Sequence, residues 1–245
     1  MCAFELIRFG GPDSLAQTVA ADWLKSLRLK AGGSAPYCVA LSGGRIASRL
    51  FAAAASLAKT DGIPGSVHFF WGDERCVPPD SPESNFGLAR KDLFLPLGIP
   101  DRQVHRLRGE APPEPAAAEG ETELRALAPS VPGGQPVLDL VFLGMGEDGH
   151  VASLLPGDPD LAAAMDPEAP ELTVSAPAGL GQPPLARVSL TLSALLQARA
   201  IFLLIAGEAK REVIARAQGG EDLPVRALIA QRRVPVRILW SPAHE

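Results

Sequence analysis

The segment GMGEDGHVASLLPG, residues 144–157, places a histidine and two carboxylates among three glycines, directly after the apolar run VLDLVFL. The imidazole group titrates close to neutral pH, so His150 could take a proton from water. Glu147 or Asp148 could orient the ring or stabilise its cation. The alternative is a loop histidine that only hydrogen-bonds the turn. The glycines, Gly146 among them, and the strand end favour a catalytic or binding role.

Metal binding is the other chemistry open to a histidine. No HxH, HExxH or Cys/His pair accompanies His150, and these are the spacings that hold metal ions. Cys2, Cys38 and Cys76 are far apart and odd in number, so neither a disulfide framework nor a zinc knuckle is indicated. We therefore expect no metal and no cofactor, and reduced thiols in a cytoplasmic protein.

A second candidate is LSGGRIA, residues 41–47, between an apolar run and a helical pattern. A glycine turn in this place lets backbone N–H groups approach an anion at the helix N-terminus. Gly43 and Gly44 would form the turn, and Ser42 and Arg45 could reinforce it. The segment matches neither GxxxxGK[ST] nor GxGxxG. Tight packing also requires such a turn, so phosphate binding and packing both remain open.

Charged residues follow another apolar run in FFWGDERCVPPDSPESNFG, which contains Asp73, Glu74, Arg75 and Asn85. One interpretation is that a strand ends here and its charges are solvated. The position favours a site, because an arginine just past the carboxyl end of a strand can hold a phosphate or carboxylate through two hydrogen bonds.

Two more cations follow later in the chain. Lys210, in GEAK, would project from the first turn of a helix toward the same region, or would be a solvated lysine. Arg187, in LARVSLTL, begins a strand and could pair with an anion or protect a sheet edge. Of the other histidines, we expect His68 to be a core residue, whereas His105 and His244 have no informative context.

The elements that must position these side chains are apolar strands that alternate with helical segments. Strand-like segments lie within Pro36–Gly44, Ser66–Arg75, Val137–His150, Ala198–Ala217 and Pro235–Trp240. This alternation is typical of a mostly parallel sheet with helices on both faces. We expect a doubly wound α/β fold, a Rossmann-like three-layer sandwich, in one domain of residues 1–245. Because ligands bind beyond the carboxyl ends of such strands, the polar segments should meet in one crevice.

Two proline-rich stretches carry weaker patterns. Residues 108–136 contain a helical pattern near Glu114–Leu127, which we interpret as a surface helix within a loop and not as a linker between domains. The second stretch, APAGLGQPPLARVSL, leads into a β-like run at Arg187–Leu192.

Composition limits the partners. The chain has 245 residues, of which 47% are hydrophobic and 21% charged, with a net charge of -5 and 5% aromatic residues. Acidic charge and few aromatic side chains disfavour nucleic acid, and no apolar stretch approaches the roughly 18 to 20 residues of a membrane span. We expect no nucleic-acid and no membrane partner, a small anionic ligand, and a monomer or weak homodimer.

Taken in order, LSGG, WGDERCVPPDSPESNFG, GMGEDGHVASLLPG, RVSLTL and GEAKREV resemble the 6-phosphogluconolactonase family, within a larger group that includes glucosamine-6-phosphate deaminases. The resemblance spans nearly the whole chain. It implies one doubly wound α/β domain and hydrolysis of 6-phospho-D-glucono-1,5-lactone to 6-phosphogluconate in the oxidative pentose phosphate pathway. Deaminases typically carry Asp-Glu-Tyr and Ala-Phe-Asn-Glu-Pro where this chain has Arg75 and ASLLPG, which favours the lactonase.

With the resemblance, each candidate residue acquires an expected role. His150 would be the general base for water attack on the lactone carbonyl, with Asp148 orienting it. Arg75 or loop N–H groups would stabilise the oxyanion. A lactone is an activated ester, so neither a metal nor a covalent nucleophile is required. The expected substrate-binding residues are Ser42, Gly43, Gly44, Arg45, Asp73, Asn85, Gly146, Arg187 and Lys210, with Gly43, Gly44, Arg45 and Lys210 as the phosphate candidates and Arg187 as an additional one.

The chain departs from the family pattern at three places. The first turn usually reads Gly-Gly-Ser-Thr-Pro, whereas here Arg45, Ile46 and Ala47 follow the glycines. Two hydroxyl groups are lost and one cation is gained, so the phosphate site is either rebuilt around Arg45 or Arg45 points elsewhere. PVRAL, residues 224–228, differs from the usual Pro-Ala pattern, and Ser241 replaces an aspartate.

Two other functions remain open at this stage. One is a deaminase and isomerase acting on glucosamine 6-phosphate, with Asp73 and His150 as an acid/base pair, which ammonia release would reveal. The other is a sugar-phosphate sensor without turnover. The intact Asp148-Gly149-His150 sequence argues against the sensor, because a pure binder has little need for a base beside the carbonyl.

Overall fold

The computed structural model describes residues 4–30, 35–129 and 134–242, so Cys2, His244 and part of the predicted loop at 108–136 lie outside the described residues. The described strands are β1 (Phe4–Arg8), β2 (Tyr37–Leu41), β3 (Val67–Trp71), β4 (Asp73–Arg75), β5 (Leu140–Leu143), β6 (Thr173–Ala176), β7 (Arg187–Leu190), β8 (Ile201–Ala206) and β9 (Val236–Ser241). The α-helices are α1 (Pro12–Lys30), α2 (Arg45–Leu57), α3 (Asn85–Ala89), α4 (Leu95–Leu97), α5 (Pro113–Leu127), α6 (Leu161–Ala164), α7 (Leu192–Leu195), α8 (Glu208–Gln218) and α9 (Pro224–Ala230).

Six strands form the main sheet, in the order β1-β9-β8-β5-β2-β3. Every pairing in it is parallel. The central strands are apolar on both faces because both faces are covered; all five residues of β2 and all four of β5 are buried. The predicted α/β fold is confirmed, although the sequence analysis did not anticipate β1 and α1.

Successive residues of β5 enter two different cores, as the pleat of a strand requires. Leu140 and Phe142 pack with α1 and α2, where the indole of Trp23 stands edge-on to Phe142 at a centroid distance of 5.2 Å. Val141 and Leu143 pack on the opposite face with residues of α8 and α9. The strand register therefore fixes the direction in which the residues after Leu143 leave the sheet.

A second sheet of three antiparallel strands, in the order β4-β7-β6, contains two of the predicted charged segments. Asp73 and Glu74 are only 4% and 2% exposed. The interpretation of DER as solvated charges after a strand is therefore wrong for these two residues. Arg187 lies on the central strand and not at an edge, so edge protection is also excluded for it.

The predicted surface helix is present as α5, one residue longer at its start than expected. Its helix N1 position is a proline, whose missing N–H would have no partner there in any case. None of the helices described here is long and apolar enough to cross a lipid bilayer.

Candidate active site

A cavity of about 200 Å³ opens at the carboxyl ends of β2, β5 and β8. This is the edge at which ligands bind in parallel sheets. Eleven of the twelve predicted site residues line it, namely Ser42, Gly43, Gly44, Arg45, Asp73, Arg75, Asn85, Gly146, His150, Arg187 and Lys210. The twelfth, Asp148, hydrogen-bonds His150. The lining residues that the sequence analysis missed include Met145, Ala152 and Gln182.

A larger groove, of about 550 Å³, lies between α6 and α9. Leu161, Met165 and Leu223 line it, together with other mostly apolar residues and no histidine. The smaller cavity therefore has the residues that can do acid–base chemistry.

The turn after β5 holds an Asp-His pair. Asp148 Oδ1 lies 2.6 Å from His150 Nδ1 and also accepts the His150 backbone N–H at 3.2 Å. An ionised carboxylate can only accept, so Nδ1 carries the proton and Nε2 is left as a proton acceptor. Of the two carboxylates considered from the sequence, Asp148 orients the ring, whereas Glu147 is exposed and makes no hydrogen bond to it.

Opposing effects act on the pKa of Asp148. Burial raises the pKa, but the hydrogen bond from His150 and the charge on that ring lower it by more, so the net shift is downward. Asp148 therefore stays ionised around neutral pH and can stabilise a protonated imidazole.

Two glycines allow this turn to be so tight. Gly149 has a φ of 79°, a left-handed conformation that favours glycine. A Cβ on Gly146 would lie 2.3 Å from both Asp148 Oδ1 and His150 Nδ1. No side chain fits at residue 146 while the Asp-His pair is in place.

Arg75 and Arg187 face each other across the β4–β7 pair. Directly opposed like charges destabilise a sheet, yet Arg187 is only 1% exposed. Within the described part of the chain, the buried Nε atoms of both arginines have no hydrogen-bond partner. Burial lowers the pKa of Arg187, the charge of Asp73 opposes this, and Arg75 lowers it further. Two guanidinium groups beside a cavity, each with an Nε donor still to be satisfied, are suited to an anion.

Asp73 connects the second sheet to the turn after β5. Its Oδ2 accepts a hydrogen bond from Ser153 Oγ at 2.6 Å and lies 3.9 Å from Arg187 Nη1, and its Oδ1 accepts from Asn85 Nδ2 at 3.3 Å. The described hydrogen bonds of Asp73 do not include His150. Ser153 was not predicted as a site residue, although it lies three residues after His150, in the segment ASLLPG that distinguishes this chain from the deaminases.

The first glycine turn is shaped by its contact with Asn85. A Cβ on Gly43 would lie 1.7 Å from Asn85 Oδ1, so only glycine fits there. Gly44 precedes α2 with a φ of 93° and has no side-chain cap. The backbone N–H groups at the start of this 13-residue helix are consequently available to an anion.

The α8 N-terminus resembles that of α2. Gly207 precedes α8 with a φ of 91° and provides no side-chain cap. Strands β2 and β8 lie on either side of β5, so the two helix N-termini flank the turn after β5. Lys210 is half-buried, and no ion pair with it is found in residues 4–30, 35–129 and 134–242. Arg45 is exposed at the cavity rim.

The remaining described histidines lie outside the cavity. His68 Nδ1 is 2.7 Å from His105 Nε2, and His105 Nδ1 is 2.9 Å from Glu123 Oε1. His68 is half-buried on β3, an edge strand of the main sheet, whereas the sequence predicted a core residue. Among the described residues, no cluster of three or more His, Cys, Asp or Glu side chains could hold a metal ion.

Comparison with known proteins identifies the family of the chain. The family of glucosamine-6-phosphate isomerases/6-phosphogluconolactonase matches residues 11–240. The 6-phosphogluconolactonase of Haemophilus influenzae is 37% identical over 201 residues, which cover 78% of each chain. That of Rhizobium meliloti is 33% identical over 238 residues, covering 96% of this chain and 97% of the other.

A crystal structure of a 6-phosphogluconolactonase from Shewanella baltica superposes with a TM-score of 0.83 and 29% identity, covering 97% of both chains. Sequence and fold thus match along nearly the full length, including every segment that lines the cavity. The chain belongs to the glucosamine-6-phosphate isomerase/6-phosphogluconolactonase family.

Proposed function

We infer that the protein hydrolyses 6-phospho-D-glucono-1,5-lactone to 6-phosphogluconate, a step of the oxidative pentose phosphate pathway. One observation supports this more than any other: the 2.6 Å Asp148–His150 hydrogen bond lies at a cavity lined by four cations and two uncapped helix ends. A base beside an anion-binding cavity is what hydrolysis of a phosphorylated lactone needs. The similarity to several 6-phosphogluconolactonases supports the same reaction.

In the proposed mechanism, His150 Nε2 removes a proton from a water molecule as the water oxygen attacks C1 of the lactone. The negative charge of the tetrahedral intermediate falls on the former carbonyl oxygen. Collapse of the intermediate breaks the bond from C1 to the ring oxygen, and the imidazolium returns its proton to that oxygen. Asp148 stabilises the imidazolium throughout, as a carboxylate hydrogen-bonded to the catalytic histidine does in other hydrolases.

The cavity offers donors for the phosphate of the substrate and for the oxyanion that develops at C1. Arg75 would stabilise the oxyanion, since a preorganised donor acts on charge that develops only in the transition state. The phosphate would be held by the N–H groups after Gly43 and Gly44, by Arg45 and by Lys210. Arg187 is a further candidate for the phosphate because its Nε atom is buried and has no partner in the part of the chain that the structure describes.

The other predicted binding residues shape this cavity. Asn85 and Gly43 fix the first turn through their close contact, and Gly146 leaves room for the Asp-His pair. Asp73 neutralises part of the arginine charge. Ser42 is buried at the end of β2. No metal or cofactor is part of this proposal, because general-base catalysis of about 10²- to 10⁴-fold suffices for an activated ester.

The phosphate site can be tested with two substrates that differ only in the phosphate. We expect Arg45→Ser and Lys210→Met each to raise KM for 6-phosphogluconolactone several-fold. Neither should change kcat/KM for unphosphorylated glucono-1,5-lactone, because the base and the oxyanion donors are untouched. An unchanged KM for the phosphorylated lactone would remove that residue from the phosphate site. Release of ammonia from glucosamine 6-phosphate would instead support the deaminase.

We also propose that residues 1–245 form one domain, because β1 and β9, from opposite ends of the described chain, are paired neighbours.

A cytoplasmic location is supported by two buried or half-buried thiols; burial raises the pKa of Cys38 to about 12 and that of Cys76 to about 11. A monomer or weak homodimer is the expected assembly, which sedimentation equilibrium would measure.

A further inference from the structure

Glu74 is a buried carboxylate that the proposed mechanism does not use. Its side chain is 2% exposed and does not line the cavity, although Asp73 and Arg75 on either side both do. Removing a carboxylate from water is costly unless hydrogen bonds replace its solvation. Glu74 therefore needs hydrogen-bond donors, and most of its donors are backbone N–H groups of residues at or next to the cavity.

Each oxygen of Glu74 accepts two hydrogen bonds. Oε1 accepts from the backbone N–H groups of Arg75, at 2.7 Å, and Asn85, at 2.8 Å. Oε2 accepts from the N–H of Phe86 at 2.8 Å and from Ser84 Oγ at 3.1 Å. One side chain thus satisfies the backbone at the end of β4 and at the start of α3.

The hydrogen bonds require the ionised form of Glu74. Burial raises its pKa, while the backbone N–H groups of Phe86, Asn85 and Arg75 oppose that shift. A protonated carboxyl group would have to donate one hydrogen and could no longer accept all four bonds. The anchor is therefore complete only when Glu74 carries its charge.

This anchor links two cavity residues that are far apart in the sequence. Arg75 and Asn85 both line the cavity, and their backbone N–H groups meet at the same oxygen of Glu74. Asn85 in turn fits against Gly43, where a Cβ would lie 1.7 Å from its Oδ1. The distance between Arg75 and the Gly43–Gly44 turn is consequently set through the buried charge of Glu74.

We propose that Glu74 is a positioning residue for lactone hydrolysis, which holds Arg75 and Asn85 where they meet the substrate. The inference rests on the proposed function of Arg75. The guanidinium group of Arg75 has few restraints of its own: Nη1 donates to Glu83 O at 2.7 Å and lies 3.8 Å from Glu83 Oε2, and Nε has no partner among the described residues. The backbone anchor therefore matters for where this group lies.

A double-mutant cycle tests the inference, with kcat and KM for 6-phosphogluconolactone as readouts. Glu74→Gln keeps the shape of the side chain, but its amide NH2 group would face two hydrogen-bond donors that a carboxylate oxygen accepts in the wild type. We expect kcat/KM to fall roughly 10- to 100-fold, because misplacement by about 1 Å costs up to that much. In the Arg75→Ala background the same change should cost at least about fivefold less than in the wild type, because the part of the loss that acts through Arg75 is then already present and only the part through Asn85 remains.

Glu83→Gln is the matched control. It makes the same charge change beside Arg75, 3.8 Å from Nη1, but on a half-exposed side chain that anchors no active-site backbone. We expect kcat/KM within about twofold of wild type, since exposed ion pairs contribute little. A loss in Glu74→Gln no larger than in this control overturns the inference.

Two further outcomes would overturn it. Fully additive losses in the Glu74→Gln/Arg75→Ala double variant would show that Glu74 does not act through Arg75, with the lactonase function intact. Wild-type activity in Arg75→Ala would remove the role of Arg75 and this inference together.

If Glu74→Gln does not fold, Ser84→Ala replaces it in the cycle. This variant removes one of the four hydrogen bonds to Glu74, together with the N-cap hydrogen bond from the Gly87 N–H to Ser84 Oγ, and keeps the charge of Glu74. The expected loss is about two- to fivefold in the wild-type background and clearly smaller with Arg75→Ala. An equal loss in both backgrounds contradicts the proposed positioning role.

Discussion

Replacement of Gly146 by alanine perturbs the Asp-His pair without removing either member. The new Cβ would lie 2.3 Å from Asp148 Oδ1, 2.3 Å from His150 Nδ1 and 2.4 Å from His150 Cε1. Ordinary van der Waals contact begins near 3.4 Å, so the imidazole and the carboxylate must each move by about 1 Å. Both groups are held within the same turn, so neither can move without weakening the 2.6 Å hydrogen bond between them.

A displacement of about 1 Å at the base is expected to reduce kcat roughly 100-fold, or about 2.7 kcal/mol of transition-state stabilisation. KM should change by less than about threefold, because the proposed phosphate ligands lie on other turns. The folded state should persist, because Gly146 is half-buried at the cavity and its φ is not left-handed.

The assay follows proton release from freshly prepared 6-phosphogluconolactone in a pH-stat, with the spontaneous rate subtracted. Gly65→Ala is the control, because a Cβ at residue 65 meets no atom within 4 Å; its kcat should equal that of wild type. A Gly146→Ala protein with wild-type kcat would contradict this prediction, since catalysis could then not depend on the present position of His150.

Further predictions concern the carboxylate and a histidine outside the cavity. Asp148→Asn should lower kcat about 10²- to 10⁴-fold in the same assay, because a neutral amide neither stabilises the imidazolium nor fixes its tautomer; unchanged kcat would exclude Asp148 as the orienting group. Burial and the nearby His105 lower the pKa of His68 below its ordinary 6.5. The unfolded chain therefore binds this proton more tightly, so wild-type stability should be full above about pH 6.5 and decline as the pH falls toward the folded-state pKa. Melting temperatures from pH 5 to 8 should decline less in His68→Gln, and an identical decline would contradict the assignment.

The sequence predicted the parallel sheet and the residues at its edge because both depend on local patterns. Apolar runs such as β2 and β5 are buried on both faces, and each ends in glycine where a turn must begin. Parallel strands bring their carboxyl ends together, so segments 100 residues apart could be assigned to one cavity. The Asp148–His150 contact was predictable because only two positions separate the residues.

Pairing between distant segments was not predictable from those patterns. The register that sets Arg75 opposite Arg187 joins residues more than 100 positions apart, and no local periodicity encodes it. The burial of Glu74 depends on the loop that returns at Asn85, so DER looked like surface charge. Strand β1 is short and carries a partly polar sequence, FELIR, because it lies at an edge of the sheet.

The most direct test of the account is the rate of 6-phosphogluconolactone hydrolysis, above its spontaneous background, for wild type and His150→Ala, with His68→Gln as a histidine control outside the cavity. We expect wild type and His68→Gln to accelerate hydrolysis equally, and folded His150→Ala to lose about 10²- to 10⁴-fold in kcat. A folded His150→Ala protein with near wild-type kcat would contradict the assignment of His150 as the general base.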